Sequence, residues 1–337
     1  MSDQTAYQAE RAQLGPHEIV LLEDFARGRR VRIARRGATL IGLEQTLGAA
    51  TLELADGYRD AAELDSRPSS RFAIMAPFAN RIDDARYSFD GTTYDLQPGV
   101  AGAQRAARHG FVRGVDFELA SFGADARGAR AEFRTSAIRP GVHPGYPFAI
   151  DLSISYVLDA GGLTLEASMR NVGEHAAPCF FGWHPYFRFG DAPADAWELQ
   201  VPAQTIVRTD ADYIPLPGAA AHVPMQEDPA LDFRRPRLIG AHEINHAYAQ
   251  LRPDEDGRAR TRLRDPDSGL GLAVWQESGV MLVFTADTVT RDVRRSVALE
   301  PMESWADAFN RADCADAIRL EPGTERRFRC GVEIELP

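Results

Sequence analysis

The 337-residue chain is 44% hydrophobic and 26% charged, an ordinary globular composition that excludes a disordered tail, a collagenous repeat and a small disulfide scaffold. Its 38 basic residues against 49 acidic ones leave a formal net charge of −11, which repels a phosphate backbone and argues against nucleic acid as a partner. All the basic residues are arginine; without a lysine amine, Schiff-base aldolases, pyridoxal phosphate enzymes and phosphate-loop NTPases are excluded.

The opening segment, MSDQTAYQAERAQLGPHEIV, has no basic stretch followed by an apolar one. Nothing along the chain approaches the ~18 apolar residues of a membrane span. From Glu18 onward, short β-type runs follow one another: EIVLLED (18–24), RRVRIAR (29–35), ATLIGLEQ (38–45), DFELASF (116–122) and RAEFRTS (130–136). The clearest period comes next. In FAIDLSISYVL, Leu152, Ile154 and Tyr156 alternate with Asp151, Ser153 and Ser155; in GLTLEASMR, Leu163, Leu165, Ala167 and Met169 alternate with Thr164, Glu166 and Ser168. Each reads as a strand with one wet face, and Asp159-Ala160-Gly161-Gly162 between them reads as the turn of an antiparallel hairpin.

WELQVP (197–202), LGLAVWQ (270–276), VMLVFTA (280–286), SVALEP (296–301) and RCGVEIEL (329–336) continue the pattern, while DAFNRAD (307–313) reads as a short helical turn. No long helical period and no linker-like composition shift appears, so the pattern predicts one all-β domain over residues 1–337, a large antiparallel β-sandwich or barrel with only short helices. Residues 101–107, 214–236 and 253–257 read as loops. Cys179, Cys314 and Cys330 are odd in number and lack CxxC spacing, which supports neither a disulfide framework nor a zinc site and fits a reduced, cytoplasmic setting.

Five places carry polar or ionisable groups that packing alone does not ask for: Asn80-Arg81 in APFANRI, His109 in RHGFVR, His184 in FGWHPYF, Asn245 in EINHAYAQ and Glu300 in VALEPMES. Each has a plain alternative: a surface cation for Arg81, a solvated turn for His109, a satisfied core imidazole for His184, an exposed strand-end acid for Glu300. His184 stands among Phe180, Phe181, Trp183, Tyr186 and Phe187, a setting that disfavours its charged form and suits proton delivery. Glu300 precedes Pro301, so the chain is expected to turn there.

Taken together, ANRI (79–82), YSFDGTTYDL (87–96), HGF (109–111), NVGEHAAPCFFGWHPYF (171–187), TDADYIPLP (209–217), LDFRRPRLIG (231–240), LEPMESWADAFN (299–310) and LEPGTERRF (320–328) resemble the aldose 1-epimerase (galactose mutarotase) family in order and spacing. The resemblance implies a galactose mutarotase-like supersandwich that interconverts the α and β anomers of free aldoses without metal or organic cofactor. It matches His184 to the catalytic acid, Glu300 to the catalytic base, Arg81, with Asn80 beside it, to sugar binding, and His109 to a second active-site histidine. Where the best-known members carry a sugar-binding Asp, this chain carries Asn245. The expected partner is a monosaccharide, with no membrane or nucleic acid, and the chain is expected to act as a monomer or homodimer.

Three rivals remain in the sequence. A hexose-6-phosphate 1-epimerase would add an anion site, for which Arg71, Arg81, Arg105, Arg108 and Arg113 are candidates. A non-catalytic carbohydrate-binding protein would use the same fold without the acid and base. A glycosidase would need a second carboxylate, for which Glu303 is the nearest residue.

Overall fold

The computed structural model describes residues 6–102 and 105–337; the first five residues, and residues 103 and 104 of the stretch read as a loop, lie outside it. The hairpin read from alternation is present. Ile150–Asp159 and Gly162–Asn171 pair antiparallel from Ile150 opposite Asn171 to Asp159 opposite Gly162, and burial alternates along Ile150–Asp159 residue by residue. These strands sit inside a nine-stranded sheet in the order Glu118–Asp125, Gly128–Ile138, Ile150–Asp159, Gly162–Asn171, Glu325–Glu335, Gly271–Gln276, Ala259–Arg264, Glu198–Gln200, Arg237–Leu238. One face carries Leu152, Ile154 and Tyr156 into the core and the other carries Ser153 and Ser155 toward solvent, so period-two sequence becomes a half-wet sheet.

A second, eight-stranded sheet behaves differently. Its order is His222–Pro224, Thr205–Val207, Asn245–Ala249, Val280–Phe284, Val297–Met302, Gly182–His184, Ala73–Met75, with Tyr186–Phe187 also pairing with Val297–Met302. Every residue of Ala73–Met75, Gly182–His184 and Val297–Met302 is buried. Strands covered on both faces read as apolar runs without alternation, which is the texture of SVALEP. A polar residue in such a strand is an exception that needs a partner.

An N-terminal five-stranded antiparallel sheet spans Tyr7–Glu53. Its first strand, Tyr7–Leu14, buries only Tyr7, so it carries no hydrophobic run to read. One contiguous core joins this sheet through Val20, Leu22 and Val31 to Ile154 and Leu165 of the nine-stranded sheet and to Leu299 and Val283 of the eight-stranded one. Among the described residues, helix is confined to Ala61–Ser66, Ala315–Ile318 and scattered single turns, including Ala308–Asn310 inside DAFN. The all-β architecture is therefore as expected, and no helix among the described residues is long and apolar enough to cross a membrane.

Two segments that later meet in the site are tied together by backbone. Gly110 bridges to Ala76, and the N–H of Phe111 donates to the Ala76 carbonyl at 2.8 Å. Gly110 has φ +64°, and a Cβ there would lie 2.0 Å from the Ala76 oxygen, so only glycine fits the approach. Gly110→Ala is expected to lower stability by roughly 2 kcal/mol through conformational strain and displaced backbone. Urea unfolding checks this; an unchanged midpoint would show that the loop yields freely.

Candidate active site

The ladder that carries the site fixes its central pair. Gly182 lies opposite Met302 and Tyr186 opposite Ala298, which sets His184 directly across from Glu300 on neighbouring antiparallel strands, where side chains on one face meet. The His184 Nε2 to Glu300 Oε1 distance is 3.3 Å. His184 is 6% and Glu300 2% exposed, so the glutamate is no strand-end acid. The strand does not turn at Pro301 either: it runs on to Met302, with Pro301 facing Met281 in the ladder. The ring costs a backbone donor, but its extended φ is compatible with a strand.

APFANRI and RHGFVR build the adjoining wall. The His109 N–H donates to the Asn80 carbonyl at 2.8 Å, and both residues hold left-handed backbone, φ +59° and +56°. Ser69 and Ser70, also on the cleft wall, are left-handed too. Strain of this kind persists only when the surroundings over-determine it. His109 sets its Nδ1 2.8 Å from Met75 Sδ, leaving Nε2 for a ligand, and its ring meets His184 edge-on at 5.2 Å between centroids. Arg81 donates to Asn80 Oδ1 at 3.0 Å and lies over the Tyr213 ring at 4.8 Å. The Arg81 carbonyl accepts from the Asp307 N–H at 2.7 Å, and the Asp307 carboxylate accepts from the Asp83 N–H at 2.9 Å. The DAFN motif is thus an anchor for the strand that carries Arg81.

Asn80, Arg81, His109, His184, Asn245 and Glu300 all line one cleft of about 340 Å³, together with Arg108, Arg113 and Tyr186. The structure therefore brings every expected site residue together. Burial pushes the His184 imidazole down to about 3, and Arg113, Arg71 and Arg81 act in the same direction. Burial also pushes the Glu300 carboxyl well up, while Arg81 pulls it down. His109 is pushed well down, by burial first and then by His184 and the nearby guanidinium groups. A neutral imidazole beside a neutral carboxyl holds the same single mobile proton as an imidazolium beside a carboxylate. The pair can pass that proton between its members without changing its net charge.

Beneath the pair lies a support that the sequence did not reveal. The Tyr186 ring stacks on His184 at 5.0 Å and 9°, and its hydroxyl donates to the Ser69 carbonyl at 3.0 Å. The Arg71 guanidinium lies 5.0 Å from the centre of the Tyr186 ring and is itself fully buried, paired with Asp56. Asp56 also accepts from Arg291 at 2.7 Å and from the Ser296 hydroxyl at 2.8 Å. An Asp next to a glycine, as in LADGYR, reads as a turn; no local signal marks it as a buried ion-pair centre.

Several rival assignments lose their residues. Arg71 is spent on Asp56, and Arg105 on Asp84 and Asp95. Glu303 accepts the Phe181 N–H at 2.6 Å and does not line the cleft; among the described residues Glu300 is the one carboxylate on its wall, which leaves a glycosidase without its second acid. Among the described residues, no three His, Cys, Asp or Glu side chains group to hold a metal ion.

The sequence profile of the aldose 1-epimerase family matches residues 18–333. The chain is 27% identical over 256 residues to the uncharacterised YihR protein of Escherichia coli (strain K12), covering 76% of each. It is 26% identical over 272 residues to the galactose mutarotase of Homo sapiens, covering 75% of each. Among solved structures, galactose 1-epimerase from Lactobacillus acidophilus NCFM superposes with a TM-score of 0.79 at 16% identity, over 97% of this chain and 98% of that one. A galactose mutarotase-like protein from Clostridium acetobutylicum gives 0.80 at 16% identity over 98% of both.

Removing the Asp56 carboxylate leaves Arg71 charged and buried without its counter-ion, with only backbone carbonyls to accept from it. Asp56→Ala is expected to cost about 3–5 kcal/mol, the scale for breaking a buried ion pair from one side. Denaturant unfolding measures it, and a loss below about 1 kcal/mol would show that the cluster carries little of the stability around the site.

Proposed function

Since the chain belongs to the aldose 1-epimerase family, we propose that it interconverts the α and β anomers of an aldose by acid/base-catalysed opening and reclosure of the sugar ring. The observation that carries this reading is the buried His184–Glu300 pair, 3.3 Å apart on facing strands. Mutarotation needs one group to take the C1 hydroxyl proton while another gives a proton to the ring oxygen. Glu300 takes the first and His184 supplies the second; the C1–O bond to the ring oxygen breaks and leaves the aldehyde. Rotation about C1–C2 presents the other carbonyl face. Reclosure returns the proton from Glu300 to the hydroxyl while His184 recovers its own. Each half-reaction moves the pair's single proton from imidazole to carboxyl or back, so nothing is consumed and no cofactor is called on.

Arg81, Asn80 and His109 hold the ring by its hydroxyls, so that the reacting oxygens meet the pair in line. Arg81 has a second part, since its charge favours the carboxylate form of Glu300. A purely carbohydrate-binding role would have no use for a buried acid facing a buried base. Asn245 begins the strand Asn245–Ala249, in the same sheet as Val297–Met302, and lines the cleft; it can donate as well as accept, where a carboxylate only accepts.

Glu300→Gln and His184→Asn are each expected to keep the fold and lower turnover by about two orders of magnitude or more. The parent's pH profile should be a broad bell: on the acid side activity falls as a second proton enters the pair, which the lowered His184 sets well below the usual histidine range. On the alkaline side it falls as the shared proton leaves, which the raised Glu300 moves upward. Anomer exchange followed by NMR or polarimetry checks both; a folded Glu300→Gln protein with parental turnover would defeat the mechanism. Asn245→Asp should change relative rates among galactose, glucose and other aldoses more than the rate on any one of them. Identical preferences in both proteins would remove Asn245 from specificity.

A further inference from the structure

The chain carries a net charge of −11, yet its cleft wall holds three guanidinium groups, Arg81, Arg108 and Arg113, against the single carboxylate of Glu300. Elsewhere the chain neutralises such groups: Arg71 on Asp56, Arg105 on Asp84 and Asp95, Arg291 on Asp56 and Glu63. Among the described residues, no carboxylate oxygen lies within the 4.0 Å of an ion pair from Arg81, Arg108 or Arg113. Arg81 and Arg108 are moreover direct cross-strand partners in the two-stranded ladder of Arg81–Ile82 with Ala107–Arg108, and like charges in that position repel. Arg113 extends the group, held by donation to the Ser70 hydroxyl at 2.6 Å and to the Arg108 carbonyl at 3.4 Å. Arg108 depresses both Arg81 and Arg113, although burial is the larger cause at each.

We infer that Arg108 and Arg113, extending outward from the ring-holding Arg81, form an anion subsite, and that the substrate is an aldose bearing a phosphate, sulfate or carboxylate group away from C1. This rests on the mutarotase reading for the placement of C1 at His184 and Glu300. Guanidinium forks suit such oxyanions bidentately, and a cleft of one sign of charge gathers ligands of the other. The cleft volume, about 340 Å³, suits one monosaccharide with a small substituent. Arg108 is exposed whereas Arg81 and Arg113 are half-buried, so the anion reaches the subsite at the open rim while the reducing end lies deeper.

The test compares kcat/KM for anomer exchange of glucose, glucose 6-phosphate, glucose 6-sulfate and glucuronate, with calorimetric binding of glucose 6-phosphate alongside. At least one anionic sugar should exceed glucose by about tenfold or more, the scale of a charge-assisted hydrogen bond, and the advantage should shrink as salt is raised. The ranking of the three identifies which oxyanion is meant. Arg108→Gln should cut the anionic-to-neutral ratio by about tenfold, and Arg108→Lys should restore most of it. Glucose matching or exceeding all three anionic sugars, with the ratio unmoved by Arg108→Gln, overturns the subsite while mutarotation stands. If no aldose is interconverted, the mutarotase reading fails, and calorimetry decides the subsite separately: glucose 6-phosphate binding weakened by Arg108→Gln supports it, and unaltered binding overturns it.

Discussion

Asp56 is a carboxylate with almost no exposure, and the cleft is hung from it. Arg71, Arg291 and Ser296 converge on its two oxygens, while its own N–H donates to the Tyr186 carbonyl at 2.9 Å. Those partners come from stretches far apart in sequence: the segment before the first sheet strand of the site, the loop leading into Val297–Met302, and the HPYF strand itself. A buried charge tolerates few geometries, because each missing partner leaves desolvation unopposed. That rigidity is what allows Arg67, Ser69, Ser70 and Phe72 to hold left-handed backbone in succession around Arg71. The tyrosine that stacks on His184 is thereby fixed at its ring face, its hydroxyl and its backbone.

The legibility of this fold differed between its sheets for one reason, the number of faces each shows to water. The Ile150–Asp159 and Gly162–Asn171 hairpin was readable to the residue, because one dry face imposes a period of two. The strands that carry His184 and Glu300 are covered on both sides, so periodicity is silent there; the two residues stand out only as ionisable groups in apolar runs, and motif resemblance supplies their roles. Even so, the resemblance could not supply register. That His184 lies across from Glu300 depends on the Gly182–Met302 and Tyr186–Ala298 pairings, which are contacts between distant segments. Arg71 shows the same limit from the other side. In sequence it was one more candidate for an anion; in the fold it is buried against Asp56. Glu303, the nearest candidate for a second acid in sequence, in the fold accepts the Phe181 N–H instead.

The electrostatics of the cleft combine two opposed tendencies. Burial drives both members of the His184–Glu300 pair toward neutrality, and the guanidinium groups around it favour negative charge. With the proton on either member the pair is overall neutral, so the surrounding positive potential acts on the position of the proton rather than on its number. A site built this way can carry out proton transfer in both directions at nearly constant net charge, which limits the reorganisation that each step demands.

The cleft's cations are all guanidinium, in a chain without a lysine. Ring opening exposes an aldehyde, and an aldehyde held close to a primary amine condenses with it; this is how reducing sugars slowly damage proteins. A guanidinium stays protonated and is a far weaker nucleophile toward carbonyl carbon. Under the proposed mutarotation, a chain whose side chains carry no primary amine offers its own ring-opened intermediate no lysine target for glycation.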